Sequence, residues 1–213
     1  MSTPVESLID AAATLGVRLD AAQTGRLLDL IAELARWNRS FNLTAVREPS
    51  QMIPHHLLDS LAAHPELEGT RVADVGTGAG FPGLPLALVN PARHFTLIDS
   101  NGKKIRFVAH AAHRMGLANV EPLHSRIEAL RPAQAFETVI ARALAPIPDL
   151  LRSIEGLSGP GTQVIAMKAR RPDAELDALP APWRVARERE LQIPGLAAPR
   201  CLIVLVRTGV RAS

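Results

Sequence analysis

The chain has 213 residues, 47% hydrophobic and 21% charged, an ordinary globular mix that excludes a disordered or fibrous polypeptide. Its single cysteine rules out an internal disulfide and a Cys-rich zinc site, and no apolar run reaches the ~18 residues that cross a membrane. The net charge of +3 permits a nucleic-acid partner without demanding one, while the absence of tyrosine excludes a catalytic phenol and the scarcity of aromatics, five Phe and two Trp, disfavours a stacking platform for single strands.

The N-terminus carries acids and no basic run, so a signal peptide is not expected and a reducing, cytoplasmic setting is. Val5, Leu8, Ile9, Ala12 and Leu15 recur at helical spacing. Asp20 with Gln23 three residues on predicts a capping box for a second helix, striped by Leu27, Leu30, Ile31, Leu34 and Trp37 and ended by the polar stretch from Asn38 to Asn42. A third helix is predicted to start near Pro54 and to run through Leu57, Leu58 and Leu61.

After Gly69 short apolar runs alternate with helical ones. Strands are predicted at 71–75, 95–98, 120–123, 138–141 and 163–167, with helices after Gly80 and over 103–115 and 147–156. That alternation implies an α/β fold with a parallel sheet covered on both faces. Two further strands, 185–193 and 201–206, form a terminal hairpin that makes the last strand antiparallel. Residues 1–66 are read as a helical extension and 67–213 as a Rossmann-like domain, the two forming one compact unit.

The stretch Asp74-Val75-Gly76-Thr77-Gly78-Ala79-Gly80-Phe81-Pro82-Gly83 joins the first strand to a helix. Glycines there allow positive φ and let a ligand approach the backbone. Gly78-x-Gly80-x-x-Gly83, with Asp99 about 20 residues on, fits a dinucleotide site. Gly76-x-Gly78-x-Gly80 behind Asp74 fits S-adenosylmethionine. Charge favours the second: Asp74 would repel a pyrophosphate, whereas it can help to hold the donor's ammonium group and sulfonium. In either case Asp99, at the end of the second strand, can take both ribose hydroxyls.

Arg126 follows the third strand, Arg142 ends the fourth and Lys168 ends the fifth. In a doubly wound sheet these ends share the edge where ligands bind. Three convergent cations need an anion, and a phosphate backbone is the natural one. His55 and His56 are candidates for the same rim. The fourth strand lacks the Asn/Asp-Pro-Pro-aromatic segment that holds an exocyclic amine, and Cys201 opens an apolar run as a buried small residue rather than a nucleophile. What remains is transfer to an atom with a free lone pair, such as guanine N7, which needs no general base. A methyltransferase acting on protein or a small molecule, a nucleic-acid binder without catalysis and an NAD-dependent dehydrogenase stay as alternatives.

Trp37-Asn38, Phe41-Asn42-Leu43-Thr44, His55-His56-x-x-Asp59-Ser60, the glycine loop, Leu97-Ile98-Asp99-Ser100, Lys103-Lys104-x-x-Phe107 and Ala141-Arg142-Ala143 together resemble the bacterial RsmG family, formerly called GidB. Lys168-Ala169 stands where that family commonly has Lys-Gly. The resemblance implies a class I S-adenosylmethionine-dependent fold with a mostly parallel seven-stranded sheet and methylation of a guanine N7 in 16S rRNA. The implied partner is that rRNA or a small-subunit precursor, with the chain acting as a monomer. It also implies that Gly76 and Phe81 contact the donor, that Ile127 and Glu128 flank its adenine, that Ser100 adjoins it beside Asp99, and that Arg142 approaches its reactive end.

Overall fold

The computed structural model describes residues 3–209. The chain begins with α1 (Pro4–Thr14) and α2 (Ala21–Phe41), and the Asp20–Gln23 capping box is present with both of its arms. α2 runs through the polar stretch that was expected to end it. Asn38 is buried, its Oδ1 accepting the Thr44 N–H at 2.9 Å, so its polarity is satisfied inside the fold. The helix stops at Asn42, which adopts the left-handed conformation at φ 50°.

The third helical segment starts at Pro49, not near Pro54. It comprises α3 (Pro49–Met52), a π-helical turn (Ile53–Leu58) and α4 (Asp59–Leu61). Pro54 has no N–H to give to the α-helical ladder and lies inside the π turn, a feature that recurs at functional sites. A 3₁₀ turn, His64–Glu66, leads into the sheet.

β1 (Arg71–Val75), α5 (Gly83–Val89), β2 (His94–Asp99), α6 (Gly102–Arg114), β3 (Val120–His124), β4 (Thr138–Arg142), α7 (Ile147–Ser153) and β5 (Gln163–Lys168) follow the predicted alternation. The helix expected over 147–156 breaks after Ser153 into a 3₁₀ turn, Glu155–Leu157. A short α8 (Asp173–Asp177), without apolar periodicity to announce it, precedes β6 (Trp183–Leu191) and β7 (Arg200–Arg207). The seven strands are ordered β3-β2-β1-β4-β5-β7-β6. All pairings are parallel except those of β7, which runs antiparallel to β5 and β6. β1 lies between β2 and β4, so the order reverses there and the loop after β1 opens a crevice at the carboxyl edge.

One apolar core joins the helical extension to a face of the sheet: Leu27, Leu30 and Leu34 of α2 share it with Leu84, Phe95 and Phe107. Each fully buried leucine or phenylalanine contributes roughly 1.5–3 kcal/mol. α7 covers a second cluster on the opposite face, built on Val139, Val164 and Ile203, which also takes in the buried Cys201. At the far edge Glu66 accepts Arg187 at 3.0 Å and Arg189 at 2.5 Å, tying the extension to β6. No helix among the described residues is long and apolar enough to cross a membrane.

Candidate active site

The loop after β1 is built around Asp74. This carboxylate is fully buried; its Oδ2 accepts the Thr77 hydroxyl at 2.5 Å and the Gly83 N–H at 2.8 Å. Burial pushes its pKa up to about 6, against those hydrogen bonds and the pull of Arg142. A Cβ on Gly83 would lie 2.7 Å from the same Oδ2 and 2.6 Å from Leu97 Cγ, so only glycine brings α5 this close to the strand. Gly78, at φ 60°, donates its N–H to Asp99 Oδ2 at 2.9 Å, and Asn101 donates to Asp99 Oδ1 at 2.8 Å. Two backbone donors thus fix the carboxylate at the end of β2 and leave its remaining lone pairs for a ligand.

A cavity of about 880 Å³ opens over this loop. Its wall includes Gly76, Gly78, Phe81, Asp99, Ser100, Ile127 and Glu128. These residues fit a nucleoside: a carboxylate for the ribose and an apolar side chain at the 127–128 turn for the base. The wall also includes residues of the extension, Leu43, Thr44, Val46, His55 and His56, and Arg142, Lys168 and Arg200 from the sheet edge.

Two residues expected to contact the donor lie off the cavity wall. Asp74 is buried beneath the loop, where its Oδ2 ties β1 to α5 while its Oδ1 has no partner among the described residues. Gly80 is off the wall as well, buried against Leu84.

The cations are corrected more deeply. Arg142 and Lys168 do reach the same edge as Arg126, and all three line the cavity. Yet two of them already have anions. Arg142 Nη1 donates to Asp59 Oδ2 at 3.1 Å and to the His55 carbonyl at 2.9 Å. Lys168 Nζ donates to Glu175 Oε2 at 2.8 Å and to the Ala145 carbonyl at 2.9 Å, strapping α8 to the loop after β4. The inference that this cluster requires a phosphate therefore fails for Arg142 and Lys168, because protein carboxylates neutralise them. Arg126 is exposed and has no carboxylate partner among the described residues.

Sequence reasoning missed Asp59 and Arg200. Asp59 Oδ1 lies 3.2 Å from Arg200 Nε, so one buried carboxylate from the extension sits between guanidiniums of β4 and β7. The antiparallel course of β7 could have signalled Arg200, since its first residue must lie at the edge where the parallel strands end. Asp59 had a sign of another kind, its place in the His55-His56-x-x-Asp59-Ser60 motif, which gave it no role.

His56 is buried beside Phe81, their ring centroids 5.0 Å apart, and its Nε2 is 3.0 Å from Thr44 Oγ1. Burial, with the charges of Arg142 and His55, lowers its pKa to about 4. The folded protein therefore holds His56 neutral while the unfolded chain protonates it near pH 6.5, so its contribution to stability is lost as pH falls from about 6.5 to about 4. Asp74 acts in the opposite sense, favouring the fold as pH falls from about 6 towards 3.8. His56→Gln removes only the first effect. Urea midpoints for the two proteins between pH 7 and 4 should show the wild type losing about 2–3 kcal/mol relative to the variant; parallel curves would mean that His56 is not held neutral.

A family model described as rRNA small subunit methyltransferase G matches residues 23–204. A protein of Pseudomonas paraeruginosa named "Ribosomal RNA small subunit methyltransferase G" is 44% identical over 204 residues, 95% of each chain. One of the same name from Serratia proteamaculans is 43% identical over 206 residues, covering 96% of this chain and 98% of its own. Among solved structures, a SAM-dependent methyltransferase from Aquifex aeolicus superposes with a TM-score of 0.57 at 20% identity, covering 75% of this chain and 94% of that one. That likeness is one of fold.

Proposed function

This chain belongs to the rRNA small subunit methyltransferase G family, and from that premise we propose that it places the methyl group on N7 of a guanine in 16S rRNA. Methylation of small-subunit rRNA with S-adenosylmethionine is the activity that membership carries; the atom, the residues and their roles are this proposal's own. We read the chain as a monomer working in the cytoplasm, where its rRNA substrate is made.

The observation that carries the reading is that one cavity is lined both by Asp99, Ile127 and Glu128 and by the histidine turn, Phe81 and Arg142. Asp99 takes the donor's ribose, Ser100 adjoins it, Gly76 and Gly78 offer close backbone, and Ile127 and Glu128 flank the adenine. The donor supplies a methyl group made electrophilic by its sulfonium, and N7 accepts it through a lone pair without releasing a proton. No general base is then required. Positioning carries the rate.

Methylation leaves a positive charge on the base. Arg142 can stand next to it because Asp59 neutralises the guanidinium, so it does not need a phosphate to be tolerated there. Its fork is aimed by Asp59 and the His55 carbonyl, and its guanidinium carbon lies 6.0 Å from the Phe81 ring centroid. Arg126, without such a partner, is the rim cation left to meet the RNA backbone.

Mass spectrometry of nucleosides from 16S rRNA tests the reading. Deleting the gene should remove one 7-methylguanosine per 16S molecule, and the purified protein with S-adenosylmethionine should restore it. Restoration of a methyl at another atom would refute the N7 assignment while leaving rRNA methylation intact.

A further inference from the structure

Phe41 is the one phenylalanine or tryptophan among the described residues that is exposed, at 45%. A lone surface phenyl is ordinary, but three features set this one apart. Its ring is seated: Trp37, one turn back on α2, lies 5.2 Å away between centroids, and Trp37 is itself packed on Phe107 at 5.5 Å and His110 at 4.9 Å of α6. A ring held this way loses little freedom when a flat partner covers it. The chain also turns at Asn42 directly from Phe41 into Leu43 and Thr44, which wall the cavity. The exposed ring therefore lies two residues from a wall of the cavity, though not on the wall itself.

The third feature is charge. Arg39 and Arg47 flank Phe41 in the chain, and Lys103 and Arg106 lie on α6, which carries the aromatic support. All four are exposed, and none has a carboxylate partner among the described residues. Arg47 donates to Asn42 Oδ1 at 3.4 Å, and Glu48 is the exposed acid of this segment, without an ion pair. Arg39, two residues before Phe41 on α2, faces away from it, but an exposed aromatic ring with un-neutralised cations at Arg47, next to its own turn, and on the supporting α6 is complementary to a nucleotide: a flat base with an anionic backbone.

We propose that Phe41 is a stacking platform for an unpaired base of the rRNA next to the target guanosine, with Arg47 on an adjoining phosphate. The inference rests on rRNA being the substrate. Few aromatics in the chain disfavour a platform along many bases; they do not weigh against one stacked base. Holding the neighbour outside would present the target guanosine to the cavity in one orientation.

The test uses the full-length protein with S-adenosylmethionine, and as substrates naked 16S rRNA and small subunits, both from a strain lacking this gene. Phe41→Ala should raise KM for both about five- to a hundredfold, the range that loss of one base–aromatic stack gives. It should leave kcat within about twofold, with S-adenosylhomocysteine affinity and the urea midpoint unchanged. Phe41→Trp should behave as wild type and Phe41→Leu as the alanine variant. A wild-type KM for Phe41→Ala, or full rescue by leucine, overturns the stacking. An effect on small subunits with none on naked rRNA also overturns it, because the ring then meets a ribosomal protein. Failure of the wild-type chain to methylate either substrate would instead remove the rRNA reading, and this inference with it.

Discussion

Arg142→Ala should lower methyl transfer to small-subunit rRNA by roughly a hundredfold or more, the scale expected when a reacting pair is no longer held in line. The loss should fall on kcat. Arg142 lines the cavity, held there by Asp59 and the His55 carbonyl, and on the proposed reading it stands where base and methyl donor meet. Arg142→Lys should rescue little, because a lysine ammonium, on a differently shaped side chain, does not present the planar guanidinium that lies 6.0 Å from the Phe81 ring centroid. Circular dichroism should show the fold retained, with a stability cost of about 1–3 kcal/mol from the lost charged hydrogen bonds. Asp59 keeps Arg200 as a partner in this variant, which limits that cost. Arg126→Ala supplies the contrast. It should keep kcat, weaken RNA binding and reduce the slope of log affinity against log salt by about one, as loss of a single phosphate contact does. Normal turnover in Arg142→Ala would refute its place at the reacting centre, whatever happens to Arg126.

Asp99→Ala should weaken S-adenosylhomocysteine by roughly 10²–10³-fold, measured calorimetrically. Two ribose hydroxyls lose a charged acceptor, each such bond being worth about 1.5–3 kcal/mol. The variant also strands the N–H groups of Gly78 and Asn101, which the carboxylate now accepts at 2.9 and 2.8 Å, so the glycine loop should loosen as well. Asp99→Asn retains one acceptor oxygen and should fall between the two. NAD should give no binding heat with any of the three proteins. Wild-type affinity in Asp99→Ala would remove the ribose assignment.

The sequence by itself determined the order of strands and helices from Gly69 onwards apart from the short α8, because short β-branched runs and amphipathic stretches are local patterns that few residues specify. It also determined the strand–glycine loop–helix unit, with Asp99 at the end of the next strand, since parallel strands joined by helices must bring those ends to one edge. The same local logic placed the capping box of α2 and the buried setting of Cys201. Tertiary structure decided which charges are spent. Arg142 meets Asp59 from 83 residues away, and that carboxylate also takes Arg200 from another strand. Lys168 meets Glu175 only because a short helix, invisible to periodicity, folds back over the edge. Asp74 lies at a strand end like Asp99, but the loop closes over it and buries it while Asp99 stays on the cavity wall. The exposure of Phe41 beside four buried phenylalanines is of the same kind. A residue's charge can be read from the sequence, but whether that charge is already neutralised depends on which distant carboxylate the packed chain brings within about 4 Å.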